Sequence, residues 1–140
     1  MDYKFTLNLP LTNFNMKADL PKKEKVILNF WKKKTKKKNK KQFILNDGPP
    51  YANGDIHIGH AFNKILKDII IKFKILTGHD VCFIAGWDCH GLPIELNIEK
   101  RIKNNTINKK KFRDLCKKYA LEQIYIQKKS FLRLGIYTNW

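Results

Sequence analysis

The sequence lacks an apolar run long enough to span a membrane, and its first ten residues, MDYKFTLNLP, lack the basic-then-apolar order of a signal peptide. We therefore expect no membrane partner and no export. Cysteine is scarce: Cys82, Cys89 and Cys116 form no CxxC pair, which argues against a disulfide framework and a structural zinc site. Reduced thiols in the cytoplasm, with no metal site in this chain, are the simplest interpretation.

Acidic residues are also scarce, since 12 Asp and Glu stand against 29 Lys and Arg and leave a net charge of +17. Such an excess predicts a polyanionic partner. A second explanation is a mutational bias towards A/T-rich codons, because Arg101, Arg113 and Arg133 are the only arginines while Asn and Ile are abundant. Both explanations stay open on the sequence.

Residues 1–41 are predicted to form an N-terminal extension with one helix and a lysine-rich loop. The helix is predicted over residues 21–34, because Pro21 suits a first helical turn and apolar residues recur at helical spacing. The run KKKTKKKNKK follows, from Lys32 to Lys41, and like-charge repulsion should keep it solvated. It is either a contact for RNA or phosphate, or a surface loop with no binding role.

Residues 42–140 are predicted to form the first, incomplete part of an α/β domain. The apolar runs QFILND (42–47) and VCFIAG (81–86) each suit a buried strand, with a helix between them, which makes a βαβ unit. Residues 93–103 and 109–133 are predicted to be flanking helices. Because two parallel strands make a poor sheet alone, we expect the chain to be the N-terminal piece of a longer protein.

The helix of the βαβ unit is the clearest amphipathic helix in the chain. We place its start between Asp55, a candidate N-cap, and Gly59, and its end at Gly78. Its apolar stripe comprises Ile58, Ala61, Phe62, Ile65, Leu66, Ile69, Ile70 and Phe73. The predicted core positions downstream are Phe112, Leu115, Cys116, Tyr119, Ile124, Phe131 and Leu134.

Two unusual loops follow the two predicted strands. GPPYANGDIHIGH (48–60) comes after the first strand and WDCHGLPIE (87–95) after the second. Ligands of βαβ units bind beyond the carboxyl ends of the strands, where these loops should be neighbours. That convergence predicts a binding site.

A histidine pair in the first loop suggests the ligand. His57 and His60 lie three residues apart, on one face of the helix and at its N-terminus, where free N–H groups and the helix dipole favour phosphate. Gly59 would let a bulky ligand approach the backbone. A zinc site is poorly supported, since the HExxH spacing is absent, and a pair of exposed polar residues is the plain alternative. The prolines and the Asn-Gly turn ahead of the pair make a rigid loop and favour phosphate.

These motifs resemble a known family. HIGH, from His57 to His60, after PYANG resembles the signature of the class I aminoacyl-tRNA synthetases. GWDCHGLPIE, from Gly86 to Glu95, and the opening TLNLPLTNFNMKADL are similar to the isoleucyl members of that family. The resemblance covers nearly the whole chain except the lysine run.

The resemblance implies a Rossmann-like catalytic domain that activates isoleucine with ATP and Mg²⁺ and transfers it to its tRNA. It also implies a cytoplasmic protein, monomeric in our expectation, whose zinc site lies only in a C-terminal region outside this chain. The chemistry suits the residues, because the substrate carboxylate is ionised at neutral pH and needs no general base. Attack on the α-phosphate requires alignment and charge stabilisation.

Individual roles are also implied by the resemblance. His57 and His60 would act on the ATP phosphates as catalytic residues. Gly48, Asn53 and Gly59 would complete the ATP site, and Pro49 would line the amino-acid pocket. Asp88 would hold the substrate ammonium group. The whole signature region comprises Pro50, Tyr51, Ala52, Asn53, Gly54, Asp55, Ile56, His57, Ile58, Gly59 and His60.

The chain departs from the family pattern in what it does not include. A KMSKS-like loop, the editing domain and the anticodon-binding helices are absent from these residues. We therefore expect the fragment alone to be inactive. Two alternatives stay open: a non-catalytic basic module that binds RNA or nucleotides, and a valyl or leucyl class I synthetase.

Overall fold

The computed structural model describes residues 3–8, 12–33, 41–102 and 107–140. The chain divides into two compact units, residues 1–35 and residues 36–140. The predicted boundary between residues 41 and 42 stays a prediction.

The first unit contains a short 3-10 helix, Tyr3–Thr6, and helix α1, Leu20–Lys32. The helix predicted over residues 21–34 is thus confirmed, with Pro21 in its first turn. Most of the predicted lysine-rich loop, residues 34–40, lies outside the described residues.

The second unit is α/β, as predicted. Its elements are β1 (Lys41–Leu45), α2 (Ile58–Leu76), β2 (His79–Phe83), α3 (Leu92–Ile102) and α4 (Lys109–Arg133). The two strands pair in parallel, from Lys41 opposite His79 to Leu45 opposite Phe83. The βαβ unit and both flanking helices are therefore confirmed. Within the described ranges, no helix is long and apolar enough to cross a membrane.

Helix α2 starts inside the predicted interval, but the predicted N-cap is wrong. His57, not Asp55, caps the helix, because its backbone is extended and its ring accepts a hydrogen bond from the Gly59 N–H. The helix ends as predicted, at a C-cap Thr77 followed by Gly78, whose φ of 81° favours glycine.

The face of α2 that packs against the chain is not its apolar stripe. The buried residues are Lys64, Asp68 and Ile71, whereas Phe62 and Phe73 are 64% and 59% exposed. An amphipathic helix normally buries its apolar stripe. Here Lys64 pairs with Asp47 and Asp68 accepts a hydrogen bond from the Tyr137 N–H at 2.7 Å, so polar contacts orient the helix.

The core cluster lies between α3, α4 and the first loop. Its buried members are Ala52, Ile94, Ile98, Tyr119 and Ala120. Ala52, a loop residue, is therefore a centre of packing. Among the predicted core positions downstream of β2, Tyr119 and Phe131 are buried, while Leu134, the C-cap of α4, is 44% exposed and lies outside the core. The remaining predicted positions pack against the cluster as partly buried side chains: Phe112, Leu115, Cys116 and Ile124.

Candidate functional site

The two loops that follow the strands meet, as the sequence predicts. Tyr51 of the first loop and Asp88 of the second form an isolated parallel bridge. The Asp88 N–H donates to the Pro50 carbonyl at 2.9 Å, and the Ala52 N–H donates to the Asp88 carbonyl at 2.8 Å. The first loop is thus fixed to the second by backbone hydrogen bonds at the residues on either side of Tyr51.

Helices α3 and α4 hold the turn of the first loop. The Asn53 side-chain oxygen accepts hydrogen bonds from the Tyr119 hydroxyl at 2.8 Å and from the Asn97 amide at 2.7 Å. The Gly54 N–H donates to the Gln123 side-chain oxygen at 3.0 Å. Asn53 is assigned above to the ATP site, and its side-chain oxygen is engaged with the scaffold.

The histidine pair lies at the N-terminus of α2 with its rings stacked, 3.9 Å between centroids and 27° between planes. His57 Nδ1 accepts from the Gly59 N–H at 3.1 Å, and the His57 N–H donates to His60 Nδ1 at 3.4 Å. Both Nδ1 atoms are acceptors in this capping box, so each neutral ring carries its proton on Nε2. The pair thereby offers two Nε2–H donors beside the positive end of a helix dipole, which suits phosphate oxygens.

The surroundings of His60 favour its neutral form. Partial burial, followed by electrostatic interaction with His57 and with the Lys64 ammonium group, lowers the pKa of His60 below its usual value of 6.5. A protonated ring would lose its acceptor at Nδ1, so the neutral form is also the one that completes the capping box.

We predict that this pKa shift is visible in solution. In NMR titration of residues 1–140, the His60 ring should titrate below pH 6.5, the value expected unfolded. The folded state then binds fewer protons, so its stability is full above the unfolded pKa and falls as the pH drops through the folded pKa. Replacing His60 with Asn should remove that part of the pH dependence. A midpoint at or above 6.5 would contradict the structure.

Gly59 and Gly48 differ in how much space surrounds them. A Cβ atom on Gly59 would lie 2.9 Å from His57 Cε1, closer than real contacts allow. A Cβ atom on Gly48 would meet Lys67 Nζ at 4.0 Å, an ordinary distance. With the His57 ring in its observed position, only glycine fits at position 59. Position 48 has room for a Cβ atom.

Asp88 combines a fixed backbone with an accessible side chain. Its carboxylate is 44% exposed and lies 3.5 Å from the ring of His90, which is itself 93% exposed. Pro49, the other residue assigned to the amino-acid pocket, is exposed, and a Cβ on Gly86 would lie 3.9 Å from its Cβ. Pro49 is thus next to the segment that leads into Asp88.

The structure adds an ionic cluster that the sequence did not reveal. Asp47, two residues after the end of β1 and directly before Gly48, pairs with Lys64 and Lys67 of α2. The side chains of Asp47 and Lys64 are almost completely buried. This cluster ties the start of the first loop to the helix that the loop leads into.

The structure adds a second polar group, on α4. Tyr119, Gln123 and Gln127 are spaced four residues apart, share one face and all contact the first loop. The signal in the sequence was this spacing, which places two glutamines on the same stripe as the core residues Tyr119 and Phe131.

The described residues show no cluster of metal ligands. Among them, no group of three or more His, Cys, Asp or Glu side chains is arranged to hold a metal ion. The three cysteines are free thiols.

The family of the chain follows from comparison with known proteins. Residues 23–140 match the family model described as tRNA synthetases class I (I, L, M and V). The chain belongs to this family of class I tRNA synthetases.

Curated relatives are similar to almost the entire chain. The isoleucine--tRNA ligase of Wigglesworthia glossinidia brevipalpis is 60% identical over 99% of the chain. The isoleucine--tRNA ligases of Buchnera aphidicola subsp. Baizongia pistaciae and Sulfurihydrogenibium sp. are 58% and 53% identical. The chain spans only 16% of the length of each of these three relatives.

A solved structure shares the fold. The LeuRS of Agrobacterium radiobacter K84, crystallised as a ternary complex with tRNA and LeuAMS, superposes with a TM-score of 0.70 at 25% identity. The match covers 89% of this chain and 15% of that one. The α/β unit described above is therefore the N-terminal part of a class I synthetase catalytic domain, as the resemblance implied.

Proposed function

We propose that this chain is the part of an isoleucine--tRNA ligase that binds ATP and the amino acid and supports formation of isoleucyl-adenylate. The observation that carries the proposal is the backbone bridge between Tyr51 and Asp88, which joins a phosphate-type loop to a loop with an accessible carboxylate. The names of the relatives support isoleucine over valine or leucine, and they do not favour a non-catalytic RNA-binding module.

The histidine pair is proposed to bind the ATP phosphates. The Nε2–H groups of His57 and His60 would donate to phosphate oxygens, and their charge stabilisation would grow as negative charge moves onto the leaving group. Gly59 keeps the His57 ring in place, and Gly48 leaves space beside the loop. Asn53 would contribute through the turn that its side chain holds together.

Asp88 and Pro49 are proposed to bind isoleucine. The Asp88 carboxylate would pair with the substrate ammonium group, and Pro49 would contact the apolar side chain. The ionised substrate carboxylate then attacks the α-phosphorus of ATP. A new carboxylate–phosphorus bond forms, the bond to the bridging oxygen breaks, and pyrophosphate leaves with the electron pair. No proton has to be transferred, so none of the proposed site residues has to act as a general base.

The Mg²⁺ ion of ATP is proposed to be held mainly by phosphate oxygens and water, since the described residues provide no cluster of ligands. When bound, it would neutralise charge on the phosphates. Zinc is proposed only for parts of the full-length ligase beyond these residues. We also propose a monomeric, cytoplasmic enzyme in which residues 1–41 form an extension of the catalytic domain.

A hybrid ligase tests the proposal. In this hybrid ligase, residues 1–140 replace the matching segment of the Wigglesworthia glossinidia brevipalpis relative. We expect isoleucine-dependent exchange of pyrophosphate into ATP and isoleucylation of tRNA. Residues 1–140 alone should show no exchange, because they span only 16% of that relative. A hybrid that folds cooperatively but exchanges with valine or leucine in preference to isoleucine, or with none of them, would disprove the proposal.

A further inference from the structure

One buried amide links the two loops of the candidate site. The Gln127 side chain on α4 is fully buried, with a relative exposure of 0%. Its Nε2 donates to the carbonyls of Tyr51 at 3.0 Å and Gly54 at 2.8 Å, both in the first loop. Its Oε1 accepts from the Trp87 indole N–H at 2.9 Å, in the second loop. The single amide therefore bridges the loops from the side of α4.

The orientation of this amide is determined by its partners. Two carbonyl oxygens face Nε2 and one indole N–H faces Oε1. In the flipped amide, the oxygen would face the two carbonyl oxygens and the NH₂ group would face the indole N–H, so none of the three hydrogen bonds could form. Both protons of Nε2 are used, and a buried amide with every group satisfied holds one geometry. Removing it would deprive the Gly54 carbonyl and the Trp87 N–H, both partly buried, of these hydrogen bonds, while the Tyr51 carbonyl would keep the one from the Asn53 N–H.

The partners of Gln127 lie directly beside the residues that carry the chemistry. Trp87 precedes Asp88, the proposed ammonium ligand, and Gly54 lies three residues before His57, the first proposed phosphate ligand. The distance between these two ligands sets how the substrate carboxylate approaches the α-phosphorus. A displacement of about 1 Å in such an alignment can reduce a rate by about 100-fold.

We propose that Gln127 is a positioning residue that fixes the spacing between the ATP loop and the amino-acid loop. The inference rests on the proposed function. In this proposal α4 aligns both substrates, although it bears none of the substrate ligands proposed above. Gln123, one turn earlier, accepts a hydrogen bond from the Gly54 N–H in the first loop, and no hydrogen bond to the second loop is found for it among the described residues, so it lacks this bridging role.

The test uses three variants of the hybrid ligase. Gln127→Met keeps the length and apolar volume of the side chain but removes all three hydrogen bonds. Trp87→Phe removes the indole donor and keeps an aromatic ring, a smaller one, at this position. Gln123→Met is the matched control, because the same substitution one turn away removes a hydrogen bond to one loop only. Adenylate formation is measured in single turnover, with KM for isoleucine and for ATP determined separately and thermal unfolding followed in parallel.

A bridging role predicts a specific pattern. Gln127→Met should slow adenylate formation by about 100-fold, while both KM values stay within about threefold, because each loop still binds its own substrate. Trp87→Phe should act in the same direction, and adding it to Gln127→Met should have little further effect, since the bridge is already broken. Gln123→Met should slow the step by at most about tenfold, the effect of one hydrogen bond.

Two results would overturn the inference. One is a folded Gln127→Met or Trp87→Phe ligase with an unchanged rate of adenylate formation. The other is a double variant whose loss is the product of the two single losses. If Gln127→Met does not fold, Trp87→Phe alone decides, because it keeps a packed ring at position 87. Failure of the proposed function is a separate result, since the unsubstituted hybrid ligase would then prefer valine or leucine to isoleucine or exchange with none of them.

Discussion

Replacing Asp88 with Ala in the hybrid ligase is expected to impair use of isoleucine far more than use of ATP. An α-ammonium group that enters an apolar pocket loses its water and requires a fixed anion in return. Loss of that anion should cost about 2–5 kcal/mol, or roughly thirtyfold to several-thousandfold in kcat/KM for isoleucine. The backbone of Asp88 stays bridged to Pro50 and Ala52 in the variant, so the loops should keep their places.

The measurement is pyrophosphate exchange with isoleucine and ATP titrated separately. Asp80→Ala is the matched control, because Asp80 is an exposed carboxylate on β2 opposite Gln42, towards the amino end of the strand. The control should keep the activity of the unsubstituted hybrid. Wild-type isoleucine dependence in Asp88→Ala would show that this loop does not bind the amino acid, and the role assigned to Asp88 would be wrong.

The regular elements were predictable because local patterns determine them. Apolar runs predict the strand within residues 42–47, the helix after it and the second strand, and Gly78 predicts where the helix ends. The structure confirms these elements within a few residues. The convergence of the two loops was also predictable, since parallel strands bring their carboxyl ends to one edge. The bridge between Tyr51 and Asp88 confirms it.

The polar interior was not predictable, because it depends on partners far apart in sequence. Lys64 and Asp68 read as the solvated side of α2, yet Lys64 is buried against Asp47 and Asp68 binds the Tyr137 N–H. Hydrophobic periodicity assigns a charged side chain to solvent and contains no information on a distant counter-ion. For that reason the sequence did not predict which face of α2 is buried.

The same limit applies to the candidate site. The sequence located the two loops, but the amide that joins them lies on α4, 40 residues after Trp87. Gln127 reads as a polar residue within a core stripe, and only its three hydrogen bonds reveal its contacts with both loops. The capping role of His57 was missed because Asp is the commoner N-cap and histidine rarely replaces it.

Replacing Gly59 with Ala in the hybrid ligase is expected to slow adenylate formation by about 100-fold or more, the effect of losing one well-placed donor to a developing charge. The new Cβ would lie 2.9 Å from His57 Cε1, so the His57 ring has to move. The ring would then lose its hydrogen bond from the Gly59 N–H and its stacking on His60.

Stability should change little in the same variant. Alanine in a helix is favoured over glycine by about 0.5–1 kcal/mol, and loss of an N-cap hydrogen bond typically costs about 1 kcal/mol. The two effects oppose each other, so a large loss of rate with a nearly unchanged unfolding temperature separates a site effect from unfolding. Asn63→Ala, an exposed position on the same helix, is the matched control: it should keep the rate and raise the unfolding temperature slightly, since alanine is the better helix former.

A double variant shows whether the effect of Gly59→Ala passes through the His57 ring. His57→Ala alone should slow adenylate formation about as much as Gly59→Ala, because both remove the same Nε2–H donor from the phosphate site. In the His57→Ala background the new methyl group has no ring to displace, so Gly59→Ala should cause little further loss. If the two losses multiply instead, the methyl group blocks the ligand directly, and glycine at this position serves the approach of ATP to the backbone rather than the placement of His57.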